Sequence, residues 1–318
     1  MPSPHLASHA DDRFEIEHHA GFSPFILDSS LEQDKFMSLQ QLVTHFNDRF
    51  EDEHHSDVRP FILENGLVNG LFGPIRIGSD FLPIRYPGDN DRIAGHAVQL
   101  SAAPYNDGLQ DVQVGEFDNW LGNTAKQAAD FQSIINLDRL CRTVHMLNYL
   151  RYAHKNSVLF LDVDPRHILG VKQDHGAYFE EIIVKCGLAT KNIVISVALN
   201  SFYALHHAQL LEGLNNYRQR GYQIAVNVGP LYSANGLVDF IVKLSPQYLR
   251  ANVPEPDAES AGASALATLK ELQNLVGGQA ILQQVNGREQ AAAASALAFD
   301  LVQGSYFDKL SEDYLRCM

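Results

Sequence analysis

With 318 residues, 45% hydrophobic and 19% charged, the chain has an ordinary globular composition and enough length to bury a large core. Its 24 Lys and Arg against 38 Asp and Glu give a net charge of −14, which repels nucleic acid and anionic membrane surfaces. The sequence has no apolar run of about 18 residues and no signal-peptide pattern. Its three cysteines are far apart, which suits a reducing compartment. We therefore expect a cytoplasmic protein with no nucleic-acid partner and no membrane insertion.

Residues 1–66 form a separate acidic region, with 13 Asp and Glu, 4 Lys and Arg, and 7 of the 14 histidines. This region contains most of an internal repeat, because residues 12–31 and 48–67 are identical at 12 of 20 positions. Each copy carries a Glu-x-Glu-His-His segment. Adjacent side chains on a helix or strand point apart, so we expect these histidines to be solvated. A metal-binding or pH-sensing role is the alternative.

An amphipathic helix is predicted over residues 30–50. Ser29 and Glu32 have the spacing of a capping box. Apolar side chains then recur at steps of three and four: Phe36, Leu39, Val43, Phe46 and Phe50. About two heptads are short for a free-standing coiled coil, so we expect this helix to dock on the chain's own larger domain. The alternative is a dimer or partner helix.

The repeat also carries a Pro-Phe-Ile-Leu strip, at residues 24–27 and 60–63. An extended apolar strip on an acidic tether can add to a sheet edge or fill a groove in a partner. Its alternative is a flap packed on the larger domain. The strip and the helix together supply the candidate partner contacts, which are Phe25, Ile26, Leu27, Phe36, Leu39, Val43 and Phe46.

From about residue 75, short apolar runs alternate with helical stretches, as is typical of strands buried by crossover helices. The predicted helices include residues 131–154, residues 201–221 and an Ala-rich helix that ends near Val276. Eight strands are predicted, at residues 81–85, 93–100, 158–163, 193–197, 223–228, 240–244, 279–285 and 300–302. Repeated units of this kind close most simply into a (β/α)8 TIM-like barrel of the α/β class. We place this barrel at residues 67–318, with residues 1–66 as a small N-terminal helical extension.

Seven short segments carry a further pattern in chain order. The first, Phe81–Ile84, reads FLPI, and the last, Val302–Phe307, reads VQGSYF. Between them lie residues 93–99, 161–165, 221–227, 238–244 and 281–290. In this order the segments resemble the F-Q-P-I, I-x-G-x-E-A-L, I-N-V-S-P, G-x-x-I-A-L-D, K-I-D, V-A-E-G-V-E and V-Q-G-Y-Y-F motifs of the EAL family of cyclic di-GMP phosphodiesterases. The resemblance implies an EAL-type barrel.

In active members of that family, carboxylates at the strand ends hold two divalent metals that activate water on the phosphodiester. The resemblance places seven of these positions on residues without a carboxylate: Ala97, Ser196, Asn227, Val228, Ser245, Gln283 and Asn286. Neutral side chains cannot offset the charge of two dications. We therefore expect no metal, no cofactor and no phosphodiesterase activity. Ser101 replaces the family's phosphate-contacting arginine, which argues against cyclic di-GMP binding as well.

A residual polar pocket is expected in the barrel mouth, where Asp162 stands in place of a metal-binding asparagine and Lys243 in place of an active-site lysine. Asp164 shares a strand face with Asp162, and Gln303 belongs to the segment that closes the barrel. We expect Asp162 to offset the charge of Lys243, because partly buried charges need partners. The alternative is a residual ligand site or a single-metal site.

These observations favour a non-catalytic regulator or scaffold that acts through a protein partner in bacterial cyclic di-GMP or motility signalling. One alternative is a receptor that binds cyclic di-GMP without hydrolysing it, and another is a residual phosphodiesterase. The resemblance also implies a homodimer, although the family's D-D-F-G loop near that surface is altered here to N-V-G-P.

Overall fold

The structure, a computed structural model, describes residues 37–55, 58–105, 131–153, 158–171, 174–199, 201–228, 236–254 and 259–308. The strands in these ranges are β1 (Phe61–Glu64), β2 (Leu67–Phe72), β3 (Ile75–Tyr86), β4 (Asp89–Pro104), β5 (Val158–Asp162), β6 (Ile193–Leu199), β7 (Gln223–Val228), β8 (Tyr248–Asn252), β9 (Gln279–Gln283) and β10 (Leu301–Val302). The helices are α1 (Leu39–His54), α2 (Phe131–Tyr149), α3 (Pro165–Gly170), α4 (Ala177–Lys185), α5 (His207–Gln219), α6 (Leu237–Leu244), α7 (Glu259–Val276) and α8 (Arg288–Ala296).

Strands β3 to β10 form a closed eight-stranded barrel. Their order is β3-β10-β9-β8-β7-β6-β5-β4, and β4 pairs back with β3. Strands β4 to β10 run parallel to one another, whereas β3 is antiparallel to both β4 and β10. The closed barrel with helices around it confirms the predicted (β/α)8 TIM-like fold.

The interior of the barrel has an apolar layer below a polar one. Successive residues of a strand point to opposite faces, so every second residue faces inward. The apolar layer comprises Ile84, Ala97, Phe160, Val194, Ala225, Ile281 and Leu301. Two residues further along, polar residues lie at the mouth, within four of these strands or just after β10: Asp162, Ser196, Asn227, Gln283 and Gln303. The carboxyl ends of the parallel strands therefore form a polar mouth over an apolar floor.

Helix α1 packs on the chain's own barrel domain, as the sequence predicted. Its N-cap is Ser38, in a capping box with Gln41, and not the predicted Ser29, so the helix spans Leu39–His54 and not residues 30–50. Leu42, Val43 and Phe46 are buried in the main core. Residues Met37–Met318 form one compact unit.

The burial of α1 also corrects the predicted partner contacts. Val43 and Phe46 are each 4% exposed, and Leu39 packs against the same core, so these side chains stabilise the domain rather than face a partner. The other predicted contacts, Phe25, Ile26, Leu27 and Phe36, lie outside the described residues, as do Ser29 and Glu32.

A β-hairpin formed by β1 and β2 extends the sheet beyond β3. Asn65 and Gly66 both have left-handed backbone conformations, with φ of 51° and 75°, as a two-residue hairpin turn requires. The outer edge of β1 is closed by Asn47 of α1. The Asn47 side chain accepts a hydrogen bond from Phe61 N at 2.9 Å and donates one to Phe61 O at 2.8 Å. These two hydrogen bonds occupy the backbone groups of Phe61, so another strand cannot pair with β1 at that residue.

Replacing Asn47 with alanine should leave both backbone groups of Phe61 without these partners. We expect Asn47→Ala to lower the free energy of unfolding by roughly 1–3 kcal/mol, measured by urea denaturation. The control is Asn69→Ala, which replaces a half-buried asparagine on β2. We expect this control to change the free energy of unfolding by less than about 0.5 kcal/mol. Equal effects of the two substitutions would contradict the edge-closing role of Asn47.

One predicted strand is a helix. Residues 240–244 belong to α6, whose side chains Leu237, Phe240, Ile241 and Leu244 are buried at helical spacing. The helix ends at Ser245, which has a left-handed backbone conformation with φ of 47°. The corresponding barrel strand is β8, in which Arg250 interrupts the apolar run. Among the described residues, no helix has the length and apolar character needed to cross a membrane.

Candidate functional site at the barrel mouth

A buried guanidinium lies in the polar layer of the mouth. It belongs to Arg250 of β8, which pairs with Asn227 of β7 on one side and Ile281 of β9 on the other. Only 2% of Arg250 is exposed. Its guanidinium carbon lies 5.5 Å from the ring centre of Phe160, which is part of the apolar floor. A cation therefore sits inside the barrel, directly above its apolar layer.

Three side chains accept hydrogen bonds from this guanidinium. Arg250 Nη1 donates to Asp162 Oδ1 at 3.1 Å and to Ser196 Oγ at 2.7 Å. Arg250 Nη2 donates to Gln303 Oε1 at 3.5 Å, and Gln283 Nε2 donates to the same oxygen at 3.3 Å. The Asp162 side chain is 62% exposed. The ion pair thus runs from the buried interior to solvent.

The electrostatic environment of Arg250 has two opposing parts. Burial lowers the pKa of its guanidinium because desolvation disfavours the charged form, while the charge and hydrogen bond of Asp162 raise it. Because the ordinary pKa of arginine is very high, the guanidinium remains protonated at neutral pH even though its pKa is lowered. Two buried polar atoms nearby, Arg250 Nε and Asn227 Oδ1, have no hydrogen-bond partner among the described residues.

Two residues of the predicted pocket lie elsewhere. Lys243 is exposed on α6, because its segment is helical and does not enter the barrel. Asp164 caps α3 by accepting a hydrogen bond from Arg166 N at 2.8 Å, and its carboxylate pairs with the Arg166 guanidinium. The partner of Asp162 is therefore Arg250, and the predicted pairing with Lys243 is wrong.

The position of β8 also corrects the assignment of the K-I-D motif. A motif that ends this barrel strand falls on the last three residues of β8, which are Arg250, Ala251 and Asn252. Ser245, at the end of α6, is therefore not one of the motif's positions.

The remaining predicted positions lie in different parts of the fold. Ser196, Asn227, Gln283 and Gln303 lie with Asp162 in the polar layer. Ala97 is part of the apolar floor, and Val228 packs in the main hydrophobic core. Asn286 has a structural role after β9, since its Oδ1 accepts hydrogen bonds from Ser305 N at 3.1 Å and Ser305 Oγ at 3.0 Å.

These residues do not fit a pair of divalent cations. Mg²⁺ and Mn²⁺ require several oxygen ligands, with carboxylates to offset their charge. Among the described residues that contact Arg250, Asp162 is the one carboxylate, and it is already paired with the guanidinium. No group of three or more His, Cys, Asp or Glu in the described part of the chain is placed to hold a metal ion.

Comparison with known proteins gives similarity in fold. No protein-family model matches the chain, and no curated protein matches it. The PaMucR phosphodiesterase in complex with c-di-GMP has a TM-score of 0.57 at 15% identity, over 73% of this chain and 90% of that chain. The EAL domain of Mycobacterium smegmatis DcpA has a TM-score of 0.55 at 13% identity, over 73% and 91%.

The Bacillus subtilis YkuI protein, which has an EAL domain and was solved with c-di-GMP and calcium, has a TM-score of 0.53 at 16% identity. The match covers 72% of this chain and 54% of the YkuI chain, so this chain spans about half of that protein. At such identities the likeness shows the barrel fold of EAL domains alone.

Proposed function

We propose that this protein is a non-catalytic EAL-type barrel that acts through protein contacts in bacterial cyclic di-GMP or motility signalling. The signalling class is supported by the fold, since the similar solved structures are EAL domains and a phosphodiesterase. The non-catalytic part rests on one observation, which is that Asp162 is the one carboxylate among the described mouth residues and is already paired with Arg250.

The charge of the mouth argues against metal-dependent hydrolysis. Two dications need several carboxylates to offset their charge, and the neutral side chains of the mouth do nothing to relieve the repulsion between them. Asp162 offsets part of this repulsion, but one carboxylate cannot offset the guanidinium and two dications together. Moving the K-I-D motif to β8 brings in Asn252, another neutral residue, so the corrected assignment restores no carboxylate.

The proposal is tested by measuring hydrolysis of cyclic di-GMP by the full-length protein with Mg²⁺ and with Mn²⁺. We expect no turnover above the protein-free rate. Calorimetry under the same conditions should detect no binding of cyclic di-GMP in the micromolar range. Turnover that disappears in Asp162→Ala would establish a residual phosphodiesterase and contradict the proposal. Micromolar binding without turnover would instead favour the receptor alternative.

The remaining parts of the proposal concern where and with what the protein acts. We expect it to work in the cytoplasm with a protein partner and without a cofactor. A homodimer, as the resemblance implies, would appear as twice the chain mass of 35.4 kDa in light scattering of the full-length protein.

A further inference from the structure

In the described structure the repeated segment has one docking slot, formed by α2, α4 and β2. The chain carries two copies of the sequence that fills this slot. Residues 48–64 include the last part of α1, up to His54, and strand β1. Residues 12–28 match them at 11 of 17 positions and lie outside the described residues. The contacts of the second copy therefore show which features the first would need in order to occupy the same slot.

The second copy docks through four side chains. The Arg49 guanidinium lies 4.4 Å from the ring centre of Tyr178 on α4 and pairs with Glu181 at 2.9 Å and Glu53 at 2.6 Å. Phe61 is 7% exposed. Phe50, Glu53 and Phe61 line a cleft opposite residues of α2 and α4, namely Arg139, Leu140 and Tyr178.

All four docking side chains are present in the first copy, as Arg13, Phe14, Glu17 and Phe25. Two of the differences fall on exposed positions, where Asp52 and Arg59 correspond to Ile16 and Ser23. Arg59 forms ion pairs with Asp48 and Glu51, and exposed pairs of this kind contribute little to stability. The first copy thus retains the face that contacts α2 and α4.

The first copy lacks the turn and the second strand of the hairpin. The left-handed turn Asn65-Gly66 corresponds to Ser29-Ser30, and serine tolerates positive φ poorly. Val68, fully buried on β2, corresponds to Glu32. Gly70 corresponds to Asp34, although a Cβ at residue 70 would lie 2.9 Å from Val144 Cγ2. Residues 12–28 therefore carry the docking face without a hairpin of their own, so they need the β2 strand of the barrel domain.

We propose that residues 12–28 are an alternative occupant of this slot and exchange with residues 48–64 in the same molecule. Because Asn47 closes the outer edge of β1, the first copy has to replace β1 rather than add beside it. The exchange moves residues 48–64 while Leu39–Asn47 stay docked. Residue 28 would take the place of Glu64 at the end of β1. Ser38 and Asn47 are separated by about 14 Å of helix, Asn47 is hydrogen-bonded to Phe61, and Glu64 lies about 10 Å further along β1. The linker of residues 29–37 spans up to about 30 Å, so the first copy can reach the slot.

The second copy is the preferred occupant because its own turn closes the hairpin onto β2. One of the two Pro-Phe-Ile-Leu strips is then always outside the slot and free for a partner. This exchange does not depend on the proposed function, since it concerns only the stability and docking of the two copies.

The test compares Phe61→Ala, Phe25→Ala and the double variant in the full-length protein. We expect Phe25→Ala alone to leave the thermal midpoint unchanged. In the Phe61→Ala background, adding Phe25→Ala should lower the thermal midpoint by a further ~5 °C, because residues 12–28 then occupy the slot. Amide hydrogen exchange of Phe61→Ala should show protection gained at residues 25–27 and lost at residues 61–63. Phe22→Ala is the matched control, because Phe22 corresponds to Val58 and is not shared by the two copies.

If Phe25→Ala has no added effect in the Phe61→Ala background and residues 25–27 remain unprotected, the exchange does not occur. A dimer of Phe61→Ala in light scattering would place the exchange between two molecules and would also overturn the proposal. Should Phe61→Ala fail to fold, Arg49→Ala, Arg13→Ala and their combination repeat the comparison at a milder pair of positions, with the same two outcomes.

Discussion

Gly304→Ala is expected to lower the free energy of unfolding by about 3 kcal/mol, at the upper end of the usual cost of overpacking. A Cβ at residue 304 would lie 2.2 Å from Val285 O and 2.4 Å from Val285 N. These are backbone atoms, and Val285 N is held in place by a 3.0 Å hydrogen bond to Gln303 O. No side-chain rotation can relieve the clash, so the junction between β9 and β10 must open.

Thermal and urea denaturation of Gly304→Ala measure this effect, with Gly287→Ala as the control. A Cβ at residue 287 would have its nearest neighbour at 4.0 Å, the side-chain oxygen of Gln290, and the φ of −143° suits any residue. The control should change stability by less than about 1 kcal/mol. If the two variants were equally stable, the close approach of Gly304 to the Val285 backbone would be contradicted.

Asp162→Ala is expected to destabilise the protein by about 2 kcal/mol, because it leaves the buried Arg250 cation with only neutral acceptors. The value is below that for a fully buried pair since the Asp162 side chain is 62% exposed. Adding Arg250→Met should recover most of the loss, because methionine fills much of the volume without a charge that needs a partner.

A double-mutant cycle isolates this pair. The cost of Asp162→Ala should be large in the wild-type background and small in the Arg250→Met background. Asp164→Ala serves as the control, since Asp164 pairs with Arg166 and its cost should be the same in both backgrounds. An Asp162→Ala cost that did not depend on residue 250 would mean that the ion pair contributes nothing to the mouth.

The barrel was largely predictable from sequence because buried strands leave local apolar runs. The exception is residues 240–244, whose apolar run is helical but cannot be distinguished from a strand by the sequence pattern alone. The strand β8 was missed because its arginine interrupts the apolar run. The β1–β2 hairpin was not predicted, although Asn65-Gly66 between two apolar runs is a usable signal for it. Helix α1 was predictable because its period is clear.

The candidate site was less predictable, because its partners come from distant parts of the chain. Arg250 meets Asp162 of β5, Ser196 of β6 and Gln303 after β10, and no sequence spacing links these residues. The available signal for this site in the sequence was the charged residue Arg250 within the run Tyr248–Asn252. Assigning the K-I-D motif to α6 instead pointed to Lys243, which is exposed on the surface.

The central claim is that the mouth has too few carboxylates to hold two metal ions. Titration of the full-length protein with Mn²⁺, followed by electron paramagnetic resonance, measures this directly. We predict that no Mn²⁺ is bound at micromolar concentrations, in either the wild type or Asp162→Ala. Two Mn²⁺ ions bound per chain in the wild type, and lost in Asp162→Ala, would contradict the account.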